Sequence, residues 1–169
     1  IIFFFGNEFL DSFPIKQFEK INNKWFEKYV EEKKGKRKLI NIPINKKKIL
    51  NFDMYKNEKF IEISYNQVDL ISDIASNINR NNGGVLFVDY GYYGKKMFDS
   101  IQCIKNHKKV KLLDGVGDRD ITHLINFKLL KQILEKNGLK VNGYTTQGEF
   151  LKKMGIFERA EILSKKTSF

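Results

Sequence analysis

The sequence opens with IIFFFGNEFLDSFP at residues 1–14, and this stretch decides the fold. Residues 1–5 are apolar and β-prone without interruption, which is the pattern of a strand covered on both faces, as parallel strands are. The apolar run is followed at once by Asn7 and Glu8, and then by Asp11. The start of the chain therefore predicts a buried strand that carries two carboxylates to its end.

A second strand of the same kind is predicted in VLFVDYGYYG, at residues 85–94. Between the two strands, apolar residues recur at helical spacing: Val68, Ile71, Ile74, Ala75 and Ile78. Gly83 and Gly84 are expected to end this helix. The order strand, helix, strand indicates a parallel crossover unit and an α/β fold.

Both predicted strands end in an acid, Glu8 for the first and Asp89 for the second. Ligands of open α/β sheets bind at the carboxyl ends of parallel strands, so these acids mark the candidate site. A purely structural alternative stays open, in which Glu8 and Asp11 cap the next helix or turn.

The other segments are predicted from their residue patterns, as antiparallel strands, loops or helices. Antiparallel strands are expected at residues 16–18, 24–32 and 38–44, forming a hairpin insertion within residues 16–65. Loops are expected at residues 45–60 and in GVGDRDIT, residues 115–122. The C-terminal part is predicted to hold a helix at residues 126–137, a strand in LKVNGYTT (139–146) and a helix at 146–163, begun by a capping box of Thr146 and Glu149.

Length and composition fit one globular domain, since the chain has 169 residues of which 41% are hydrophobic. No apolar run approaches the roughly 18 residues of a membrane span, and no signal peptide is evident. Cys103 is the only cysteine, which excludes an internal disulfide framework and a cysteine-cluster metal site. Because Ile1 already lies in a core strand, we expect the chain to be a fragment that lacks its natural N-terminus.

The formal net charge of +11 raises the question of nucleic-acid binding. The positive charge is mostly lysine, whereas specific phosphate or base recognition favours arginine. We therefore favour an ordinary solvated surface and regard nucleic acid as a minor alternative. The abundance of lysine, asparagine and isoleucine is typical of an AT-rich genome, and it weakly favours the bacterial cytoplasm, with the mitochondrial matrix as the alternative.

The segment GNEFLDSFPIKQF, at residues 6–18, resembles a motif of the MidA-like methyltransferases. This family includes the mitochondrial complex I assembly factor that methylates an arginine on a complex I subunit. The resemblance continues through VLFVDYGY, then DIT with NF four residues beyond it, then TTQGEFLKKMGI and ERA. These blocks occur in the same order as in the family and cover most of the chain.

The resemblance implies a class I methyltransferase fold, a seven-stranded Rossmann-like sheet that uses S-adenosylmethionine. Residues 1–6 would be its fourth strand and residues 85–89 its fifth, so residues 1–169 would be the C-terminal portion of one methyltransferase domain. The glycine-rich cofactor turn is then expected upstream of Ile1, and the final strand of the sheet is also expected to lie outside this chain. LLDGVGDRD, at 112–120, imitates that turn but lacks the apolar helix that should follow it.

The resemblance also implies roles for individual residues. Glu8 and Asp11 would be catalytic, facing one pocket on the first turn of a helix and holding an acceptor guanidinium by bidentate hydrogen bonds. The residues expected on the substrate side are Asn7, Asp89, Tyr90, Thr146 and Gln147. A structural role stays open for Asn7 at the strand end, for Tyr90, and for Thr146 and Gln147 as a helix cap.

Neither histidine is assigned a role. His107 and His123 have no spacing for a metal site or a catalytic triad, and both are predicted to be surface or loop residues. Where the family usually has Ala-His before a hydrophobic residue and Asp, this chain has His123, Leu124 and Asn126. Any role of that family histidine or acid is therefore in doubt for this chain.

The predicted function is a protein arginine N-methyltransferase linked to complex I assembly. The partners implied are a protein substrate, such as a complex I subunit, and a second copy of the chain through the hairpin insertion. The alternative is a non-catalytic module with a methyltransferase-like fold, which docks protein or nucleic acid through its basic surface.

Overall fold

The computed structural model describes residues 1–45, 57–94, 96–115 and 117–166. The chain has an α/β fold. The strands are β1 (Ile2–Asn7), β2 (Lys16–Ile21), β3 (Lys24–Lys33), β4 (Lys36–Ile44), β5 (Phe60–Ile63), β6 (Gly83–Val88), β7 (Gly91–Tyr92), β8 (Gln102–Lys105), β9 (Lys108–Lys109), β10 (Asp120–Thr122) and β11 (Ile125–Asn126). The helices are α1 (Tyr65–Asn81), α2 (Phe127–Lys136), α3 (Gln147–Lys153) and α4 (Ile156–Lys166).

The two predicted strands pair with each other in parallel, as expected. β1 runs beside β6 in register from Ile2 opposite Gly83 to Asn7 opposite Val88. The connection between them includes α1, which packs against both strands. Four of the residues predicted to form its apolar face are buried: Ile71, Ile74, Ala75 and Ile78. The prediction of a parallel crossover is confirmed.

The prediction that β1 is covered on both faces is wrong for the described residues. Side chains alternate along a strand, so Ile2 and Phe4 share one face and are half-buried. The opposite face leaves Phe3 77% and Phe5 70% exposed, together with Leu86 of the paired strand. Nothing in the described part of the chain packs over these rings.

The segment between β1 and α1 forms an antiparallel sheet in the order β4-β3-β2-β5. The three predicted strands of this segment are present, and each is one to three residues longer than predicted. The prediction does not include β5. Its FIEI sequence is followed at once by the helical pattern, so the short strand is hard to recognise from sequence. The loop predicted at residues 45–60 lies mostly outside the described residues. The sheet and helices share one core, which includes Leu10, Phe18, Trp25, Ile61, Ile71 and Leu130.

The part after β6 differs more from the prediction. DIT, predicted to lie in a loop, is strand β10 and pairs with β8. LKVNGYTT is not a strand, because no neighbouring strand pairs with it in the described residues. The predicted C-terminal helix is two helices, α3 and α4, separated at Gly155, whose φ of +82° is left-handed. Helix α2 agrees with the prediction and begins at its cap Asn126.

None of the helices in the described ranges combines the length and the apolar character needed to cross a membrane.

Candidate functional site

The candidate site begins where β1 and β6 end side by side. The backbone N–H of Glu8 donates to the carbonyl oxygen of Val88 at 2.9 Å, so the pairing continues one residue beyond β1. Glu8 and Asp89 thus leave the same edge of the parallel pair. The prediction that two neighbouring strands deliver acids to one edge is confirmed.

Residues 8–13, called the acid turn below, are held by the Asp89 side chain. Its Oδ2 accepts the backbone N–H groups of Phe9 at 3.1 Å, Leu10 at 2.8 Å and Asp11 at 3.4 Å. Its Oδ1 accepts the N–H of Tyr90 at 2.8 Å. The carboxylate of one strand therefore caps the turn that follows the other strand, an interaction that is strong because the acceptor is charged.

The expectation that Glu8 and Asp11 lie on the first turn of a helix is wrong. The acid turn is irregular, and Glu8 adopts a left-handed backbone with φ of +46°. Instead of a helix, the Asp89 carboxylate binds the backbone N–H groups of Phe9, Leu10 and Asp11. The environments of the Glu8 and Asp11 side chains differ.

Glu8 is exposed at the rim of the site. Its Oε1 accepts a hydrogen bond from the Tyr90 hydroxyl at 3.0 Å. This bond, with the negative charge of Glu8, raises the pKa of Tyr90. Tyr90 is thus positioned beside Glu8, as expected for residues that border one crevice.

Asp11 is buried, with 8% of its surface exposed. Burial raises the pKa of its carboxyl, and the nearby charges of Asp89 and Glu8 raise it further. Asp11 lines a cavity of about 320 Å³ between the acid turn and the strand β10 region. The other residues that line it are Ser12, Phe13, Pro14, Ile15, Ile101, Ile121, Thr122 and His123.

His123 is predicted to be a surface or loop residue. It lies in the loop between β10 and β11, but it is only 6% exposed, so it is not on the surface. Its backbone N–H donates to the carbonyl of Asp11 at 3.0 Å. Burial does not alternate along DITHLIN, since Ile121 is 48% exposed whereas His123, Ile125 and Asn126 are buried. No local pattern in this segment therefore indicates that His123 is buried. His107, in contrast, is exposed, as predicted.

Gln67 of α1 is a second residue whose role no sequence motif indicates. Its amide donates to the carbonyl of Leu10 and lies 3.1 Å from Nε2 of His123. Ser64 and Gln67 have capping-box spacing, and Ser64 accepts the Gln67 backbone N–H at 3.2 Å. The Gln67 side chain points to the acid turn and ties it to α1.

The remaining predicted site residues are exposed. Asn7 ends β1, opposite Val88. Thr146 caps α3 by accepting the N–H of Glu149 at 3.3 Å, and Gln147 is the first residue of that helix. No hydrogen bond or ion pair joins Thr146 or Gln147 to the acid turn in the described part of the chain. The segment before α3 meets the region after β7 through Tyr144 and Tyr93, whose rings stack at 4.0 Å.

Within LLDGVGDRD, the Arg119 side chain lies against Gly115. Its guanidinium donates to the carbonyls of Gly115 at 3.0 Å and Lys111 at 2.9 Å. The turn leads into strand β10 instead of a helix. The described residues also contain no cluster of histidine, cysteine or acid side chains suited to a metal ion.

Comparison with solved structures shows a shared fold. An uncharacterized protein from Burkholderia thailandensis superposes with a TM-score of 0.76 at 20% identity, over 96% of this chain and 45% of that one. A second structure from the same bacterium, bound to S-adenosyl-homocysteine, gives a TM-score of 0.72 at 21% identity, over 96% of this chain and 44% of that one.

Curated relatives from three animals are mitochondrial proteins named protein arginine methyltransferase NDUFAF7 or its homolog. The Caenorhabditis elegans protein is 32% identical over 168 residues, which cover 95% of this chain and 39% of the relative. The Xenopus tropicalis protein is 29% identical over 98% of this chain and 39% of its own length. The human protein is 25% identical over 98% of this chain and 38% of its own length. The chain thus spans about two fifths of the length of these relatives.

A family model described as "Putative S-adenosyl-L-methionine-dependent methyltransferase" matches residues 1–145. This match includes the acid turn, both parallel strands and the β10–β11 segment that encloses Asp11. The chain belongs to this S-adenosyl-L-methionine-dependent methyltransferase family.

Proposed function

We propose that this chain is the acceptor-binding part of an S-adenosylmethionine-dependent protein arginine N-methyltransferase. The observation that carries the proposal is the acid turn, in which two carboxylates follow one strand of a parallel pair and a third carboxylate, from the other strand, fixes their backbone. The carboxyl edge of parallel strands is where α/β folds bind ligands. The names of the curated relatives supply the acceptor class, arginine.

The arrangement suits the needs of an arginine acceptor. A guanidinium is cationic and planar, so it needs negative charge and a defined plane. We assign Glu8 and Asp11 to this task, as the catalytic pair. Asn7 and Tyr90 border the same edge, and Thr146 and Gln147 are proposed as more distant contacts to the substrate protein.

The described residues do not fit the cofactor itself. Class I methyltransferases hold it on a glycine-rich turn that opens a helix, whereas here the Arg119 side chain lies against Gly115 and the turn leads into a strand. We propose that the cofactor-binding glycines belong to the part of the relatives that this chain does not match. The cofactor, when bound, supplies a methyl group on a sulfonium. The residues of this chain hold the acceptor nitrogen in line with it, and such positioning can contribute roughly 7–11 kcal/mol.

The same assignment places the chain within the family architecture. We propose that β1 and β6 are the fourth and fifth strands of a Rossmann-like class I sheet. In this proposal residues 1–169 form the C-terminal portion of one methyltransferase domain, and residues 16–65 form an antiparallel hairpin insertion within it. The parallel pairing of β1 with β6 supports the assignment of these two strands. The antiparallel order β4-β3-β2-β5 supports the hairpin insertion.

The cellular partners are proposed from the relatives. We propose that the acceptor protein is a subunit of respiratory complex I. We also propose that two copies of the chain form a homodimer through the hairpin insertion. The mitochondrion is favoured over the bacterial cytoplasm, because the curated relatives are named as mitochondrial proteins.

The test of the function is methyl transfer by the full-length protein carrying Glu8→Gln. We expect turnover with an arginine-containing substrate protein to fall by about 100-fold or more, because a carboxylate that acts on the reacting group is lost. Cofactor affinity, measured by titration, should change less than about twofold, since Glu8 is not assigned to the cofactor. Glu149→Gln, an exposed glutamate of α3, is the matched control. Unchanged turnover in the Glu8 variant would remove this residue from the catalytic pair.

A further inference from the structure

Glu62 of β5 is a buried carboxylate that links the antiparallel sheet to the segment between β7 and β8. Only 8% of its surface is exposed. Its Oε2 accepts the backbone N–H of Ser100 at 3.2 Å, and its Oε1 accepts the hydroxyl of the same serine. Gln17 of β2 donates to Oε2 of Glu62 and to Oδ1 of Asp99, each at 2.7 Å. Two strands of the sheet therefore hold this segment through hydrogen bonds to charged acceptors, which are stronger than neutral ones.

Ser100 connects the Glu62 carboxylate to the loop between β10 and β11. The serine is 4% exposed, and its hydroxyl oxygen accepts the backbone N–H of Leu124 at 2.9 Å. The hydroxyl thus donates on one side and accepts on the other, and hydrogen bonds in such a chain polarise and strengthen one another. Through this one side chain, the position of β5 constrains the position of the loop.

Residues 123–125, called the hub loop below, donate three successive backbone N–H groups to three separate segments. The first, from His123, reaches the carbonyl of Asp11 at 3.0 Å, and the last reaches the carbonyl of Tyr90 at 2.8 Å. The middle one is the bond to Ser100. The hub loop therefore holds the acid turn on one side and the end of β6 on the other, while Ser100 fixes its centre.

We propose that Glu62 and Ser100 are positioning residues for the acid turn, and that the antiparallel sheet acts on the site through them. They fix the hub loop, and the hub loop sets where the backbone of Asp11 and Tyr90 lies at the carboxyl edge of β1 and β6. The consequence for catalysis rests on the proposed function, whereas the link between the sheet and the acid turn does not.

Packing alone would not give the same control over the turn. Leu10 of the acid turn shares one apolar core with Phe18 and Ile61 of the sheet. Apolar contacts are non-directional, whereas hydrogen bonds fix distances and angles. Burying a carboxylate costs solvation that a well-packed apolar side chain would not, so stability alone does not account for Glu62. Its geometry does, because its two oxygens receive both donors of Ser100.

The hub loop has other anchors, which keep the expected effect of losing Ser100 local. Strand β11 pairs with β7, and the Gln67 amide lies 3.1 Å from the imidazole of His123. Loss of the bond to Ser100 should therefore loosen the hub loop and the acid turn without unfolding the chain.

The experiment measures hydrogen–deuterium exchange of the full-length protein by mass spectrometry, in peptides that cover the acid turn and the hub loop. Ser100→Ala removes the hydroxyl that joins Glu62 to the hub loop. We expect backbone N–H groups in both peptides to exchange at least about fivefold faster, which is the usual effect of one lost hydrogen bond within a fold. Peptides from α1 and α2 should stay within about twofold, whereas a general loss of stability would accelerate them equally.

Three further variants separate positioning from stability. Glu62→Met keeps the volume of the side chain and removes both acceptors, so it should accelerate exchange in the acid turn and the hub loop as Ser100→Ala does, while α1 and α2 stay unchanged. Ser100→Thr keeps the hydroxyl and should restore slow exchange. Ser72→Ala is the matched control, because it removes a hydroxyl that donates to the carbonyl of Val68 at 2.8 Å within α1. It should leave both peptides within about twofold.

Two outcomes of the exchange experiment would overturn the proposal. One is exchange of the acid turn that stays within about twofold in both Ser100→Ala and Glu62→Met, and the other is equal acceleration in α1 and α2. Methyl transfer by the same proteins tests the consequence for catalysis: we expect kcat to fall by about tenfold or more in both variants, with cofactor affinity within about twofold and recovery in Ser100→Thr. Faster exchange with unchanged kcat would refute the positioning role in the reaction. If the unchanged protein methylates no arginine, the proposed function fails, and the exchange data still decide whether Glu62 and Ser100 hold the acid turn.

Discussion

At the scale of single residues, the site depends on which groups each carboxylate contacts. Asp89 accepts backbone N–H groups from Phe9, Leu10, Asp11 and Tyr90. Its contacts are those of a positioning residue that holds the acid turn, and its assignment to substrate contact stays a prediction. Glu8 is exposed beside Tyr90, whereas Asp11 is buried.

Replacing Asp89 by alanine tests this positioning role. We expect the free energy of unfolding to fall by about 1–3 kcal/mol, because backbone donors of the turn lose a charged acceptor. Urea unfolding monitored by circular dichroism measures the change. Asp73→Ala, on the exposed face of α1, should stay within about 0.5 kcal/mol of the unchanged chain. Equal effects of the two substitutions would show that Asp89 does not hold the turn.

The sequence predicts residues better when their role is local. Glu8 and Asp89 follow apolar strands, so their place at one edge is evident from pattern alone. Gln67 and His123 act across the fold, 56 positions apart, and no local rule pairs them. The burial of Asp11 likewise depends on Ile101 and the β10 region, whose path the sequence leaves undefined.

At the scale of elements, strands and helices with a strong period are predicted well. β1, β6, α1 and α2 follow from apolar periodicity, and their pairing follows from the parallel crossover. Short strands such as β5, β8 and β10 are not predicted, because three or four residues are too few to show the alternating hydrophobic pattern that distinguishes a strand from a loop. The segment LKVNGYTT is predicted to be a strand but is not one. Its sequence is β-prone, but no neighbouring strand pairs with it in the described residues.

The β1–β6 pair gives an element-scale prediction through two adjacent glycines. A Cβ at Gly83 would lie 1.7 Å from the carbonyl oxygen of Ile2, and the φ of +144° is unfavourable for other residues. Gly83→Ala should therefore destabilise the chain by more than about 1–3 kcal/mol, the usual cost of overpacking. Thermal unfolding measures it.

Gly84→Ala is the matched control, because its Cβ would meet only the ring of Phe3 at an ordinary 3.5 Å. We expect it to change stability by less than about 1 kcal/mol. Similar losses in both variants would mean that the close approach of β6 to Ile2 does not control the pairing.

At the scale of the whole molecule, the net charge of +11 is spread over a surface in which many cations already have partners. Lys28 lies 3.3 Å from Asp99, and Lys165 lies 2.6 Å from Glu161. Arg37 lies 2.6 Å from Glu32. These pairs leave the net charge unchanged. Nucleic acid stays the less favoured partner because the positive charge is mostly lysine, whereas specific phosphate recognition favours arginine.

The prediction for nucleic acid concerns its salt dependence. Binding of duplex DNA or single-stranded RNA at about 50 mM salt should be lost by about 200 mM, as for non-specific lysine–phosphate contacts. Fluorescence anisotropy with labelled oligonucleotides measures it. A dissociation constant below about 1 μM at the higher salt would instead support a nucleic-acid-binding module.

The hydrogen bonds from the acid turn to Asp89 join residues that are 78, 79 and 80 positions apart. Contacts between such distant segments form late in folding, because the intervening chain must first be closed into a loop. The antiparallel sheet and α1 lie within that loop and can form from nearer contacts. We therefore expect the two ends of the site to meet after the scaffold between them has folded.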